Sequence, residues 1–256
     1  LDIPFEELRM EDIGFQKTDL SFEVPEADLH IIKTYEETRN FPAVKGTTQL
    51  GVHLRFGTIS VRKLAKIAKE NNLTFLKELI WREFFMQILY HFPKVVNHSF
   101  KSKYDAIPWE NNPEFLEKWK AGKTGFPIVD AGMRELNATG FMHNRVRMIT
   151  ASFLIKHLLT DWRIGEAYFA EKLMDYDLSA NNGNWQWCAS SGCDAAPYFR
   201  IFNPDEQQKK FDPDFKYIKK WIPEFGTKYY PKPIVEHKKA REKVLKVYKE
   251  ALDNLD

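Results

Sequence analysis

Residues able to carry chemistry fall in a few short stretches of this chain. The run Asn181-Asn182-Gly183-Asn184-Trp185-Gln186-Trp187 sets two indoles among four side-chain amides. Asp175 and Asp177 stand just before it, two residues apart, so that in a loop one can face a ligand while the other braces it. Glu78 and Trp81 are spaced i, i+3, and Asn144 and Met148 i, i+4, so each pair shares one face of a helix. The stretch Lys45-Gly46-Thr47-Thr48-Gln49-Leu50-Gly51 brings two glycines and two hydroxyls to the head of a helix-like segment. Small residues there let backbone N–H groups approach a phosphate, and the threonines add donors; an ordinary polar turn reads the same way. No G-x-G-x-x-G and no phosphate-binding P-loop occurs, so a nucleotide would have to be held without those folds. Cys188 and Cys193 are the only cysteines and have no histidine pair at ligand spacing beside them, so no metal site is expected.

The elements that must position these residues read as helices. Ser60 is an N-cap before Val61, Leu64, Ala65, Ile67 and Ala68, which are apolar at helical spacing. Leu76 to Phe92 repeats the pattern and stops at Pro93. Ile128–Leu136, Phe141–Leu159, Ile164–Met174 and a C-terminal helix from His237 to Leu252 follow. No strand alternates convincingly. The class is therefore mostly α, with long ordered loops over 93–127 and 175–233, of the kind that carry function. Residues 1–30, with Pro4, Gly14 and Pro25, read as an extended linker, and 31–256 as one helical domain.

Hydrophobic residues make up 43% and charged residues 29% of the 256, which is ordinary for a globular chain. Aromatics reach 14%, a surplus that suits a core or a cleft built on flat rings. The net charge of +2 does not announce nucleic acid, although basic residues outnumber acidic ones between Arg200 and Lys249. Two cysteines point to a reducing compartment, so a cytoplasmic location is expected. No apolar run is long enough to span a membrane and no signal peptide is visible.

Four blocks are specific: Glu78–Phe85 (ELIWREFF), Gly122–Arg134 (GKTGFPIVDAGMR), Met142–Leu154 (MHNRVRMITASFL), and Asp175 through the Asn181–Trp187 run to Ala196–Pro204 (APYFRIFNP). Together they resemble the photolyase/cryptochrome family, closest to the class I cyclobutane pyrimidine dimer photolyases, over most of the chain from about Tyr35. The resemblance implies a single all-helical domain that holds FAD folded back on itself. It implies light-driven repair of cyclobutane pyrimidine dimers in DNA: excited reduced FAD passes an electron to a flipped-out lesion, the ring splits, and the electron returns. A cryptochrome-type blue-light receptor without repair is the alternative. A monomer acting on UV-damaged DNA is expected. Residues 1–30 resemble the end of the linker that follows an N-terminal antenna domain; nothing here resembles that domain, so the antenna chromophore is not readable.

Residue by residue, the resemblance assigns Tyr35, Thr47, Thr48, Gln49, Leu50 and Gly51 to the cofactor phosphates. The family usually carries Ser at Gly51 and often Arg at Gln49. Arg147 and Asp175 match an ion pair beside the flavin ring, Asp177 a further ring or ribityl contact, and Asn181 the residue facing N5, where a neutral amide can accept a hydrogen bond. Trp185, Trp162 and Trp109 match a chain of three tryptophans from flavin to surface. Glu78, Trp81, Asn144, Met148 and Trp187 match the lesion pocket: the indoles give flat apolar walls, the carboxyl and amide give hydrogen bonds to base edges. Relatives that repair the (6-4) product carry His where Asn144 and Met148 stand. Arg39, Arg145, Arg200 and Gln207 match DNA-backbone positions or lie beside them.

Overall fold

The computed structural model describes residues 9–19 and 25–253. Thirteen α-helices form the described part: α1 (Leu29–Lys33), α2 (Tyr35–Thr38), α3 (Gly51–Phe56), α4 (Val61–Asn71), α5 (Leu73–His91), α6 (Pro113–Lys120), α7 (Pro127–Thr139), α8 (Asn144–Ser152), α9 (Trp162–Lys172), α10 (Leu178–Ala189), α11 (Pro204–Phe211), α12 (Lys216–Trp221) and α13 (His237–Asp253). No strand occurs among the described residues. Of the expected linker, residues 1–8 and 20–24 lie outside the described residues; Met10–Ile13 form one 3₁₀ turn, and α1 begins at Leu29.

Side-chain caps set most helix starts. Ser60 accepts from the Lys63 N–H as its sequence position predicts, and Asn72 takes the Phe75 N–H at the head of α5. Asn112 and Asn203, each followed by proline at the first helical position, start α6 and α11. The Phe141–Leu159 helix of the sequence reading is shorter in fact. Its α part is Asn144–Ser152, capped by the His143 ring, and Phe153–His157 widen into a π turn.

The two expected loops are corrected. The segment 93–127 contains α6, and 175–233 contains α10, α11 and α12. In particular the Asn181–Trp187 run is the middle of a helix. Its apolar residues lie on no single face and its asparagines and glycine are poor helix formers, so periodicity and propensity both passed over it. Tertiary packing stabilises it instead: Ser179, Asn182, Trp185, Gln186, Cys188 and Ala189 are all buried.

Two cores meet along a seam. A small one gathers Ile32, Leu64, Ala68, Phe75 and Leu79 between α1, α4 and α5. A large one joins α6 to α10 and α12 around Trp119, Ile128, Met133, Phe153, Trp185 and Ile218. α5 packs on α10, and the seam between these two helices, with α8 beside it, carries the cleft described next. A third cluster holds α13 in place by burying Val244 and Tyr248 against Ile107 and Leu159.

Candidate cofactor and substrate cleft

Three adjoining chambers form one cleft. The first holds about 880 Å³ of empty space between the Thr47–Gly51 turn, Tyr35 and α5. The second, about 590 Å³, lies between α8 and α10. The third, about 840 Å³, lies between α5, α8 and α10 and, like the first, is open to solvent. Asn144 borders all three; Arg147 and Asp175 border the first and second, and Met148 and Trp187 the second and third.

In the first chamber the chain turns through Gln49 with φ 54°, in the left-handed region, so that Leu50 tucks into the small core and Gly51 opens α3. No side chain caps α3, so the N–H groups of its first turn are available to a ligand. A Cβ at Gly51 would stand 2.9 Å from Asp175 Oδ2, so a glycine here lets the turn and Asp175 pack this closely. The hydroxyls of Thr47, Thr48 and Tyr35 line this chamber.

Asp175 is held by Arg147, whose Nη2 donates to Oδ2 at 2.9 Å while its Nε donates to the Met142 carbonyl at 2.6 Å. The other oxygen, Asp175 Oδ1, is buried with no partner in the protein. A buried carboxylate oxygen without a donor is costly, and Asp175 lines both the first and the second chamber. Asp177, also lining the second chamber, is committed in part to structure: its Oδ1 accepts from the Ala180 N–H at 3.1 Å and from the Ser179 hydroxyl, capping α10.

Asn181 turns its amide nitrogen away from the chamber. Nδ2 donates to the Glu166 carbonyl at 3.1 Å and to its Oε1 at 2.9 Å. Both donors are thereby used, and the side-chain oxygen remains as an acceptor. Burial raises the Glu166 carboxyl above its ordinary range, against the pull of the Asn181 and Tyr176 hydrogen bonds.

The third chamber gathers Glu78 and Trp81 from α5, Asn144 and Met148 from α8 and Trp187 from α10. The five residues matched to a lesion pocket therefore border one space. Trp81 is 42% exposed, with Phe84 edge-on at 5.3 Å and Phe85 tilted at 6.0 Å behind it. Trp187 lies under the Arg200 guanidinium at 5.7 Å.

The four residues matched to the DNA backbone separate. Arg39 is inside the third chamber, bonded to Glu78 Oε1 at 2.5 Å and lying over the Tyr35 ring at 5.2 Å. Glu78 is accordingly an ion-paired carboxylate here. Arg145 is half-buried; its Nη2 donates to Asn40 Oδ1 at 2.7 Å and its guanidinium covers the Phe211 ring at 4.4 Å. Burial, then the charges of Arg39 and Arg200, lower its affinity for its proton. Those three arginines thus share one neighbourhood. Gln207 sits on α11 and lines none of the three chambers.

The tryptophans matched to an electron chain all join the large core. Trp185 borders the second chamber from α10, and α9 can approach it only because position 165 is glycine: a Cβ there would fall 2.2 Å from the indole. Trp162 is 1% exposed, its Nε1 has no partner, and the Arg163 guanidinium lies 4.7 Å from its ring. Trp109 is half-buried, edge-on to Tyr248 at 6.1 Å. Sequence reasoning passed over Trp119 on α6, whose ring meets Trp185 edge-on at 6.3 Å and whose Nε1 donates to the Thr150 carbonyl at 3.1 Å. A short helix inside an expected loop left no signal for it.

A family profile for the FAD binding domain of DNA photolyase matches residues 75–228. The deoxyribodipyrimidine photo-lyase of Escherichia coli K12 is 48% identical over 246 residues, covering 85% of this chain and 52% of the relative. That of Halobacterium salinarum is 42% identical over 253 residues, covering 86% and 53%. A bacterial class III photolyase from Agrobacterium tumefaciens superposes with a TM-score of 0.82 at 42% identity, over 86% of this chain and 53% of that one. The Synechocystis cryptochrome gives 0.78 at 31%, over 85% and 52%. The chain therefore spans about half the length of the relatives it matches. It belongs to the photolyase family, in the part that forms the FAD-binding domain.

Proposed function

We propose that this chain holds FAD across the first two chambers and repairs cyclobutane pyrimidine dimers in DNA with light. The observation that carries the reading is the third chamber. Two indoles, a carboxylate, an amide and a thioether face one solvent-open space that shares Asn144, Met148 and Trp187 with the chamber beside it.

The residues present fit the cofactor. The uncapped start of α3, with Thr47 and Thr48, offers donors to a diphosphate. Asp175 Oδ1 awaits a donor, and the Asn181 oxygen can accept from a protonated ring nitrogen. Bound and reduced, the flavin would supply the light absorption and the electron that splits the dimer and then returns. Trp81 and Trp187 exclude water and stack on the extruded bases, while Asn144 and Glu78 meet the base edges. Neither Asn144 nor Met148 can donate a proton the way an imidazolium can, which favours the cyclobutane dimer over a lesion whose repair needs one. Arg145 and Arg200 grip the flanking phosphates. Trp185, Trp162 and Trp109 pass electrons inward when the flavin is oxidised.

The deciding experiment is light-dependent repair of a thymine-dimer oligonucleotide by chemically reduced, FAD-loaded protein, with Glu78→Ala beside it. Repair by wild type, reduced roughly ten-fold in the variant, is the expected result. A flavin-bearing wild type that repairs nothing would leave a light sensor as the reading.

A further inference from the structure

The Arg39–Glu78 ion pair does something a phosphate grip does not require. Glu78 borders both the first and the third chamber, whereas Arg39 borders only the third. A carboxylate within reach of two spaces has rotamers into either. The 2.5 Å contact from Arg39 Nη1 to Glu78 Oε1 ties the C-terminal end of α2 to the second turn of α5, and a charge-assisted bond of that kind selects one orientation. Both side chains are largely enclosed, at 21% and 33% exposure, so solvent screens the pair less than it would a surface bridge. Tyr35, beneath the guanidinium, stays neutral, since burial and the Glu78 charge push its phenol up to about 12. Glu78 is then the anion that Arg39 faces. Arg145 and Arg200 lie close enough for the charges of Arg39 and Arg200 to act on Arg145.

We propose that Arg39 is a positioning residue that holds the Glu78 carboxylate toward the open chamber, where a damaged base would meet it, and away from the cofactor chamber. This inference rests on the repair reading above. Loss of Arg39 then harms the photochemical yield as well as DNA affinity.

The test uses the full FAD-loaded, reduced chain and a thymine-dimer oligonucleotide. Two numbers are read for each variant: the Kd in the dark, and dimers repaired per absorbed photon at saturating DNA. Arg39→Gln is expected to lower the saturating yield roughly five-fold, the scale of a misplaced group, whereas Arg39→Lys, which keeps the charge, restores most of it. On a Glu78→Gln background, Arg39→Gln should change the yield no further, because the two residues act as one unit. Arg39→Met is a second neutral variant, judged by the same numbers, should the glutamine variant not retain flavin. An Arg39→Gln or Arg39→Met protein that binds DNA weakly yet repairs at wild-type yield when saturated overturns the inference. So do losses that multiply in the double variant. A wild type that repairs no dimers under the same light overturns the repair reading itself, and this inference with it.

Discussion

The buried Lys156 couples the stability of the fold to pH. Its side chain sits in the π turn after α8 and is 1% exposed. Nζ donates to Ser190 Oγ at 3.1 Å and lies 3.7 Å from the centre of the Tyr248 ring. The neighbouring Cys188 thiol is pushed up to about 12 by burial, so it stays protonated and supplies no counter-charge. Desolvation therefore dominates and brings the ammonium down from 10.5 to about 7. The sign follows. Between about pH 7 and 10.5 the unfolded chain keeps this proton and the folded chain has released it, so raising the pH favours folding; below about pH 7 the folded state carries a charge it solvates poorly. The full displacement corresponds to roughly 5 kcal/mol, and the part falling between about pH 6.5 and 8.5 to about 2 kcal/mol. Lys156→Met keeps the shape and removes the proton. The difference in unfolding free energy between wild type and variant, from urea titrations across that window, should move in favour of wild type by about 2 kcal/mol as the pH rises. Attraction of the ammonium to the Tyr248 ring works the other way, at up to about 2 kcal/mol. A difference that stays flat with pH would refute the reasoning and mean that the ring and the Ser190 hydroxyl solvate the charge as well as water does.

Trp162→Phe should abolish photoreduction of oxidised FAD and leave repair by chemically reduced protein intact; transient absorption with unchanged photoreduction would remove Trp162 from the electron path. Asp130, fully buried, accepts from the Thr124 N–H and hydroxyl at 2.7 Å each, the Gly125 N–H at 3.0 Å and the Tyr230 hydroxyl at 2.6 Å. Asp130→Ala orphans those donors and should cost roughly 3 kcal/mol in urea unfolding. DNA affinity should fall with salt, and Arg200→Gln should lower the slope of log Kd against log salt by about one.

The helices legible in sequence were those with a sustained apolar pattern, on one face along α4 and α13 and nearly all round along α5. α10 was hidden because it is enclosed on several sides and so shows no face at all, and because Asn and Gly argue locally against a helix. For the cleft, spacing placed Glu78 with Trp81 and Asn144 with Met148 correctly on shared faces, since both pairs border the open chamber. What spacing lacked was the third dimension. That Arg39 turns inward to Glu78, that the Asn181 amide is oriented by Glu166, and that Trp119 touches Trp185 all depend on contacts between helices distant in the chain.

The closeness of Gly165 to Trp185 has a consequence for mutation. Since a methyl carbon at residue 165 would already overlap the indole, the ring's seat is defined by atoms that are missing. Even the gentlest replacement, alanine, must tilt the indole or pry apart α9 and α10, and no change of charge or polarity would flag it in advance. A survey that scores substitutions by chemical similarity would rank Gly165→Ala among the mildest in the chain, and the packing ranks it among the most severe.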